Sequence, residues 1–153
     1  MRVAHLVHDL NRTSAGVGAA ACDLHRALLL SGTESFIVGH DGPGADELLS
    51  GVPAHSTCRI RPFSPTRVYG PSITLPRAVK AFDADIIHVH GLWQFQSLYA
   101  LWRTRNRAVV VSPHGMLAQW AMAKPSLQKS LAWRIQDRPL LNRAAAIHCL
   151  TAT

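Results

Sequence analysis

Apolar residues along this chain follow two rhythms that alternate. The run RVAHLVH at residues 2 to 8 is apolar on both faces, the pattern of a strand covered on two sides. A polar stretch from Asp9 to Ala15 follows. Beyond it Val17, Ala20, Ala21, Leu24, Ala27 and Leu28 recur at the spacing of one helical face, with Asp23 and Arg26 on the other and Gly32 closing the pattern. This predicts a helix over 17–31. SFIVGH at 35–40 predicts a second strand, and the glycine- and proline-rich DGPGADELLSGVPAH holds one helical turn at its centre. Further on, the pattern predicts a strand over 57–63, a helix over 75–82, a strand over 85–90, a helix over 95–104 and a strand over 108–112. A basic amphipathic helix then covers 127–144, interrupted by Pro139, and a last strand covers 146–150. Strands apolar along their length, alternating with helices, predict a doubly wound α/β domain with a parallel sheet spanning 1–153.

Composition adds boundaries to that picture. At 48% apolar and 16% charged, the chain belongs with globular domains. It shows no apolar run long enough to cross a bilayer and no signal-peptide pattern at its start, so the cytoplasm is the expected address. Cys22, Cys58 and Cys149 stand singly, which suggests small core hydrophobes and neither a disulfide framework nor a zinc knuckle. A formal charge of +7 favours phosphate-bearing partners. The basic residues lack the clustered aromatics of a nucleic-acid surface, and none is expected as a partner. The helix carrying Lys129, Arg134, Arg138 and Arg143 beside Leu127, Leu131, Ile135 and Leu141 reads either as a solvated charged face or as a peripheral contact with an anionic membrane.

In open parallel sheets, ligands bind beyond the carboxyl ends of the strands. Three strand ends here carry histidine: His8-Asp9, His90-Gly91-Leu92-Trp93 and Pro113-His114-Gly115. Imidazole donates to or accepts from sugar hydroxyls and phosphates, and an adjacent glycine lets a ligand approach the backbone. His88 and His90 share a strand face, which invites a metal with His114 as third ligand, but no carboxylate or cysteine is placed to complete the shell; no metal is expected, and His5 and His88 are assigned to the sheet interior. Trp93 and Trp120 fall in loops at the ligand edge, where a flat ring can stack on a sugar, whereas Trp133 is expected in the core. Gly16 and Gly18 open the first helix, and GVGAAA satisfies the dinucleotide fingerprint G-x-G-x-x-A with Asp41 near the ribose position. This motivates an alternative reading as a nicotinamide-dinucleotide module. Against it, the loop DLNRTSA separates the glycines from the strand, so a glycine-started helix offering N–H groups to an anion, or one capped by Ser14, fits better.

Five segments, MRVAHLVHDL, the loop with Gly16, DADIIHVHGLW, SPHGMLAQWAMAKPSLQKSLAWR and RAAAIHCLTAT, occur in an order that resembles the amino-terminal half of family 4 glycosyltransferases of the GT-B type, in the branch that builds bacterial surface polysaccharides. The resemblance covers nearly the whole chain, and PHGML-x-x-W-A is its most specific block. It implies one Rossmann-like domain of two, and retaining transfer of a sugar from a nucleotide-sugar donor to a saccharide or lipid-linked acceptor, without metal or other cofactor. By the same resemblance His114 lies against the donor sugar, Gly115 allows its approach, Ala15 and Gly16 border the donor phosphates where the family has Gly-Gly, and His90, Gly91 and Trp93 line the acceptor side. The family binds most of the nucleotide through a second, carboxyl-terminal domain with a Glu-x7-Glu pattern. The chain stops at Thr153, just after a strand that should lead into another helix, so truncation before that domain, and little activity alone, are expected.

Overall fold

In a computed structural model of the chain, described over residues 1–11, 16–61, 69–103, 106–123 and 126–149, the alternating pattern becomes one six-stranded sheet. The strands are β1 (Arg2–Leu10), β2 (Glu34–Asp41), β3 (Thr57–Ile60), β4 (Ile86–His90), β5 (Ala108–Ser112) and β6 (Ala146–Ile147). They lie in the order β3-β2-β1-β4-β5-β6, every pair parallel. The helices are α1 (Val17–Leu30), α2 (Ala45–Leu48), α3 (Thr74–Phe82), α4 (Phe95–Arg103), α5 (Gln119–Met122), α6 (Leu127–Ala132) and α7 (Arg138–Arg143). The chain builds outward from β1 to β3, then returns to place β4 on the other side of β1. That reversal is the switch point of a doubly wound sheet, and it brings the ends of β1, β4 and β5 side by side.

Both faces of the sheet are covered, and they differ in character. On one face Ala4, Leu6, Phe36, Val38, Ile87, Val89, Val109 and Val111 pack with Leu75, Val79, Tyr99, Ala100 and Leu140 from α3, α4 and α7. On the other, Val7, Leu10 and Ile37 pack with Ala21, Cys22, Ala45 and Leu48 from α1 and α2. Beside that second cluster the sheet is polar: His5, His88, His90 and Ser112 are buried there, with His25 and Ser35.

Several boundaries differ from the expected ones. β1 runs two residues further, through an irregularity between Leu6 and Asp9, so Asp9 and Leu10 belong to the strand. β6 holds only two residues, and α5 arises in a stretch expected as loop. The far end of the predicted third strand (62–63), Thr104 and Leu150 lie outside the described residues. Of the cysteines only Cys22 is buried; Cys58 is half-buried and Cys149 exposed, so the expectation of three core cysteines holds for one.

The largest correction concerns the basic helix. The interruption expected at Pro139 takes the form of a π-helical turn over Trp133–Asp137 that joins α6 to α7, with Pro139 in the first turn of α7, where a missing N–H is best accommodated. Hydrogen bonds in a π turn reach one residue further than in an α-helix, so the buried face rotates relative to a 3.6-residue pattern. Ala132, Gln136, Asp137 and Leu140 face inward, while Leu127, Leu131 and Ile135 are 92%, 61% and 50% exposed.

Helix α1 lies tightly against the end of β1. A Cβ on Gly18 would sit 2.9 Å from the carbonyl oxygen of Asp9 and 3.4 Å from Leu48 Cδ2, and backbone cannot yield as a side chain can. Gly18→Ala is therefore expected to lower the unfolding free energy by about 1–3 kcal/mol in urea denaturation. Gly16→Asn should be close to neutral in the same experiment, because Gly16 has φ 75° but open space around it, and Asn tolerates that left-handed backbone.

Candidate functional site

At the carboxyl edge of the sheet, β4 and β5 each end in a corner that L-residues rarely adopt. After His90 come Gly91 at φ 90° and Trp93 at φ 63°; after Ser112 come His114 at φ 50° and Gly115 at φ 76°. Left-handed backbone at a non-glycine residue costs on the order of 1–3 kcal/mol and persists only where neighbours hold it. Here they do. The Gly91 N–H donates to the Ser112 carbonyl at 2.8 Å, and the Trp93 N–H donates to both carboxylate oxygens of Asp137 at 3.1 and 3.2 Å. The Gln136 amide donates to the Gln94 carbonyl at 3.1 Å and accepts from Tyr69 Oη at 2.6 Å. The π turn thus supplies the two polar side chains, both buried, that fix the β4 corner.

Between the corners runs a string of imidazoles. His114 Nε2 lies 2.9 Å from His90 Nδ1, and His90 Nε2 lies 3.0 Å from His5 Nδ1. The His88 and His90 rings stack at 4.2 Å, and His88 Nε2 shares Ser112 Oγ, at 2.7 Å, with His148 Nδ1 at 2.9 Å. His25, on α1, sits between Ser35 and Ser56 at 2.7 and 3.2 Å; Ser56 gives its proton to the Pro53 carbonyl, so His25 Nε2 is the donor in its bond to Ser56. Burial keeps the interior rings neutral. It lowers His5 to about 3 and His25 and His88 to about 4, and depresses His90 well below its usual value. His114, half-buried, is also lowered, by burial first and by His148 second. Its Nδ1 has no partner among the described residues.

The expected site residues separate into two groups. His114 and the exposed Gly115, with nothing within 4 Å of a Cβ there, lie at the sheet edge beyond β5, and exposed Gly16 lies beyond β1 as the N-cap of α1 with no side-chain cap. His90 and Gly91 do not line an open surface: His90 is 1% exposed and bonded at both ring nitrogens, and a Cβ on Gly91 would meet Met116 Cε at 3.2 Å. Both belong to the scaffold beneath the edge. Trp93 is half-buried, with the Lys129 ammonium 4.4 Å over its ring; Trp120 is 68% exposed on α5, and Trp133 is half-buried, less enclosed than expected. Ala15 and Ser14 fall outside the described residues. His5, His88 and His90 present nitrogens within 4.8 Å of one another, but both nitrogens of His90 and one each of His5 and His88 are committed to the bonds above, and no carboxylate joins the group.

Asp41, the ribose ligand of the dinucleotide reading, is held by Arg59 at 2.6 Å. Gly18 serves close packing of α1 on β1. Neither observation supports nicotinamide binding. What sequence reasoning missed is Asp137, Gln136 and the His5 contact. The signal for Asp137 was a lone acid in a basic helix; for His5 there was none, because its partner is 85 residues away.

Asp137 is fully buried without a cation, and burial lifts its carboxyl to about 6, against the pull of the Trp93 N–H. The pH dependence of stability follows by linkage. The buried histidines have folded values below their unfolded ones, so their contribution is complete above about 6.5 and is lost as pH falls toward 4 and 3. Asp137, raised from 3.8, works the other way: its penalty is full above about 6 and is relieved on acidification. Unfolding free energy, measured by urea titration at pH 7.5, 6, 5 and 4, should fall by a few kcal/mol in sum, because a tenfold change in proton affinity between folded and unfolded chains is worth about 1.4 kcal/mol. Asp137→Asn keeps the acceptor for Trp93 and should be at least as stable at pH 7.5 while losing stability more steeply on acidification.

The model of Glycosyltransferase Family 4 matches residues 14–153. No curated protein and no solved structure shows a significant match to the chain. A match over nearly the whole length, on a six-stranded parallel sheet of this topology, establishes that the chain belongs to glycosyltransferase family 4.

Proposed function

We propose that this domain forms the acceptor-side wall of a GT-B cleft in a retaining sugar transfer from a nucleotide-sugar donor, with His114 against the donor sugar. The observation that carries the reading is the β5 corner: His114 is held in left-handed backbone by its bond to buried His90, its Nδ1 is unengaged, and Gly115 beside it is open. A neutral imidazole fixed in this way hydrogen-bonds a sugar hydroxyl without competing for the negative charge of the leaving diphosphate. Helix α1, 14 residues long with no acidic residue in its first turn and Gly16 at its start, directs its N-terminal dipole toward the same edge and suits a phosphate. In such a transfer the bond from the anomeric carbon to the phosphate oxygen breaks. The acceptor oxygen bonds on the same face, and its proton passes to the departing phosphate.

The remaining donor contacts are assigned to a second domain. Glu34 and Glu47 are the only glutamates in the chain, so a Glu-x7-Glu pair must come from elsewhere. The 153-residue chain alone is therefore expected to bind sugar nucleotides with Kd weaker than about 1 mM in calorimetric titration. Mixed with a family 4 donor-binding domain, it should transfer sugar, and His114→Ala should lower kcat by at least about 100-fold, the usual cost of a lost transition-state hydrogen bond. Undiminished transfer by that variant removes His114 from the reaction.

The acceptor is proposed to be lipid-linked and met at an anionic membrane. Two adjoining depressions of about 400 and 770 Å³ share Leu98 and Ile135 and are lined largely by apolar side chains, among them Leu131, Ile73 and Trp102. Exposed Leu127, Leu131 and Ile135 stand beside exposed Arg134 and Arg138, the mixture that favours an anionic lipid surface. No helix among the described residues is long and apolar enough to span a bilayer. Co-sedimentation should be strong with vesicles containing phosphatidylglycerol, weak with pure phosphatidylcholine, and lost in Leu131→Glu; equal binding to both vesicles contradicts the electrostatic half of the proposal.

A further inference from the structure

We propose that His90 and His5 are positioning residues that set the tautomer His114 presents at the sheet edge, through one continuous string of hydrogen bonds. The inference rests on the reading of His114 as the sugar-facing group, but its test does not.

A neutral imidazole has one nitrogen that donates and one that accepts. When both nitrogens of a ring are bonded to other rings, choosing the proton position on one fixes the next. His90 is in that situation, with His5 on its Nε2 side at 3.0 Å and His114 on its Nδ1 side at 2.9 Å. Only two polarities exist. In the first, His5 Nδ1–H donates to His90 Nε2 and His90 Nδ1–H donates to His114 Nε2, so His114 carries its proton on Nδ1 and points a donor outward. In the second every bond reverses, and His114 offers a bare lone pair.

The inner end of the string decides between them. His5 Nε2 is buried, on a residue 0% exposed, and has no partner. The second polarity would put an N–H there with no acceptor, and orphaned buried N–H groups are rarer in folded proteins than under-used acceptors; an unsatisfied buried group costs its full desolvation. The first polarity leaves only a lone pair facing the neighbouring rings of His25 and His88, at 5.9 and 5.3 Å between centroids. Charging the string is not an escape, since burial holds His5 and His90 neutral. His114 therefore stands as an uncharged Nδ1–H donor, although the Nε2–H form is the one a free histidine side chain prefers.

Long-range proton–nitrogen NMR on the chain labelled with ¹⁵N-histidine at pH 7.5 reads the tautomer of each ring directly, with no substrate present. The wild-type chain should show His114 protonated on Nδ1. In His90→Leu the ratio of Nδ1–H to Nε2–H at His114 should fall about tenfold, the worth of one ordinary hydrogen bond. His90→Asn, whose side-chain amide nitrogen can occupy the Nδ1 place, should restore it. His5→Phe should lower the ratio as well, without touching His114, and His5→Asn should restore it; this pair keeps the test available if His90→Leu fails to fold. A His114 protonated on Nε2 in the wild-type chain, or one whose tautomer ignores both positions, overturns the proposal. If the NMR behaves as expected but His114→Ala still transfers sugar at full rate, the string stands and the functional reading falls.

Discussion

An imidazole taken out of water has to stay neutral and has to find partners for a donor and an acceptor at once. Four of the five histidines buried among the described residues, His5, His25, His88 and His90, lie together on one side of the sheet, and the arrangement there follows from satisfying them. One face of the sheet is almost entirely aliphatic and supplies the bulk of the burial. The other carries a polar seam in which serines at 35, 56 and 112 are hydrogen-bonding partners to rings. Neutral hydrogen bonds add little net stability, but breaking one inside leaves an orphan that costs more. The seam therefore acts mainly on alignment: β1, β4 and β5 keep the register in which His5 lies opposite His88 and His90 opposite Ser112.

The same logic extends to the two corners at the sheet edge. Left-handed Trp93 and His114 would relax if left to themselves, and each is tied to a buried polar group contributed by a distant segment: Asp137 for Trp93, His90 for His114. Asp137 and Gln136 lie on the buried side of the π turn, while Leu131 and Ile135 lie on the surface. The irregular turn, the exposed apolar stripe and the side chains that fix the β4 corner thus all belong to one segment, residues 127–137.

This explains which parts were legible in advance. Strands buried on both faces write continuous apolar runs, and helices between them write a 3.6-residue period, so the doubly wound sheet could be read directly, with boundaries right to within two residues for β1, β2, β4 and β5. Histidine followed by glycine at a strand end is a local signal, which is why His114 and Gly115 could be named as edge residues, and a glycine at the start of a helical period did the same for Gly16. The roles of His90 and Gly91 could not be separated from those of His114 and Gly115 by that signal. Both pairs have the same local sequence, and only the depth of each beneath the edge, set by contacts far along the chain, tells scaffold from surface. The part played by Asp137 and Gln136 was not legible because the backbone groups they bond lie 44 and 42 residues away.

Keeping the rings neutral also divides the labour at the proposed cleft. A histidine that took up a proton near neutral pH would attract the donor diphosphate to itself and lose its orientation toward a hydroxyl. With His114 lowered by burial and by His148, its proposed part is direction, and the positive field is assigned elsewhere: to the amino end of α1 and to the surplus of 16 basic over 9 acidic residues. Such a field attracts phosphate over a distance of about a Debye length, roughly 8–10 Å at ordinary salt, without requiring any single cation to sit at the reacting centre. On the proposed reading, the neutral string sets geometry and the distributed charge sets affinity, and because the two reside in different residues, either can change without dismantling the other.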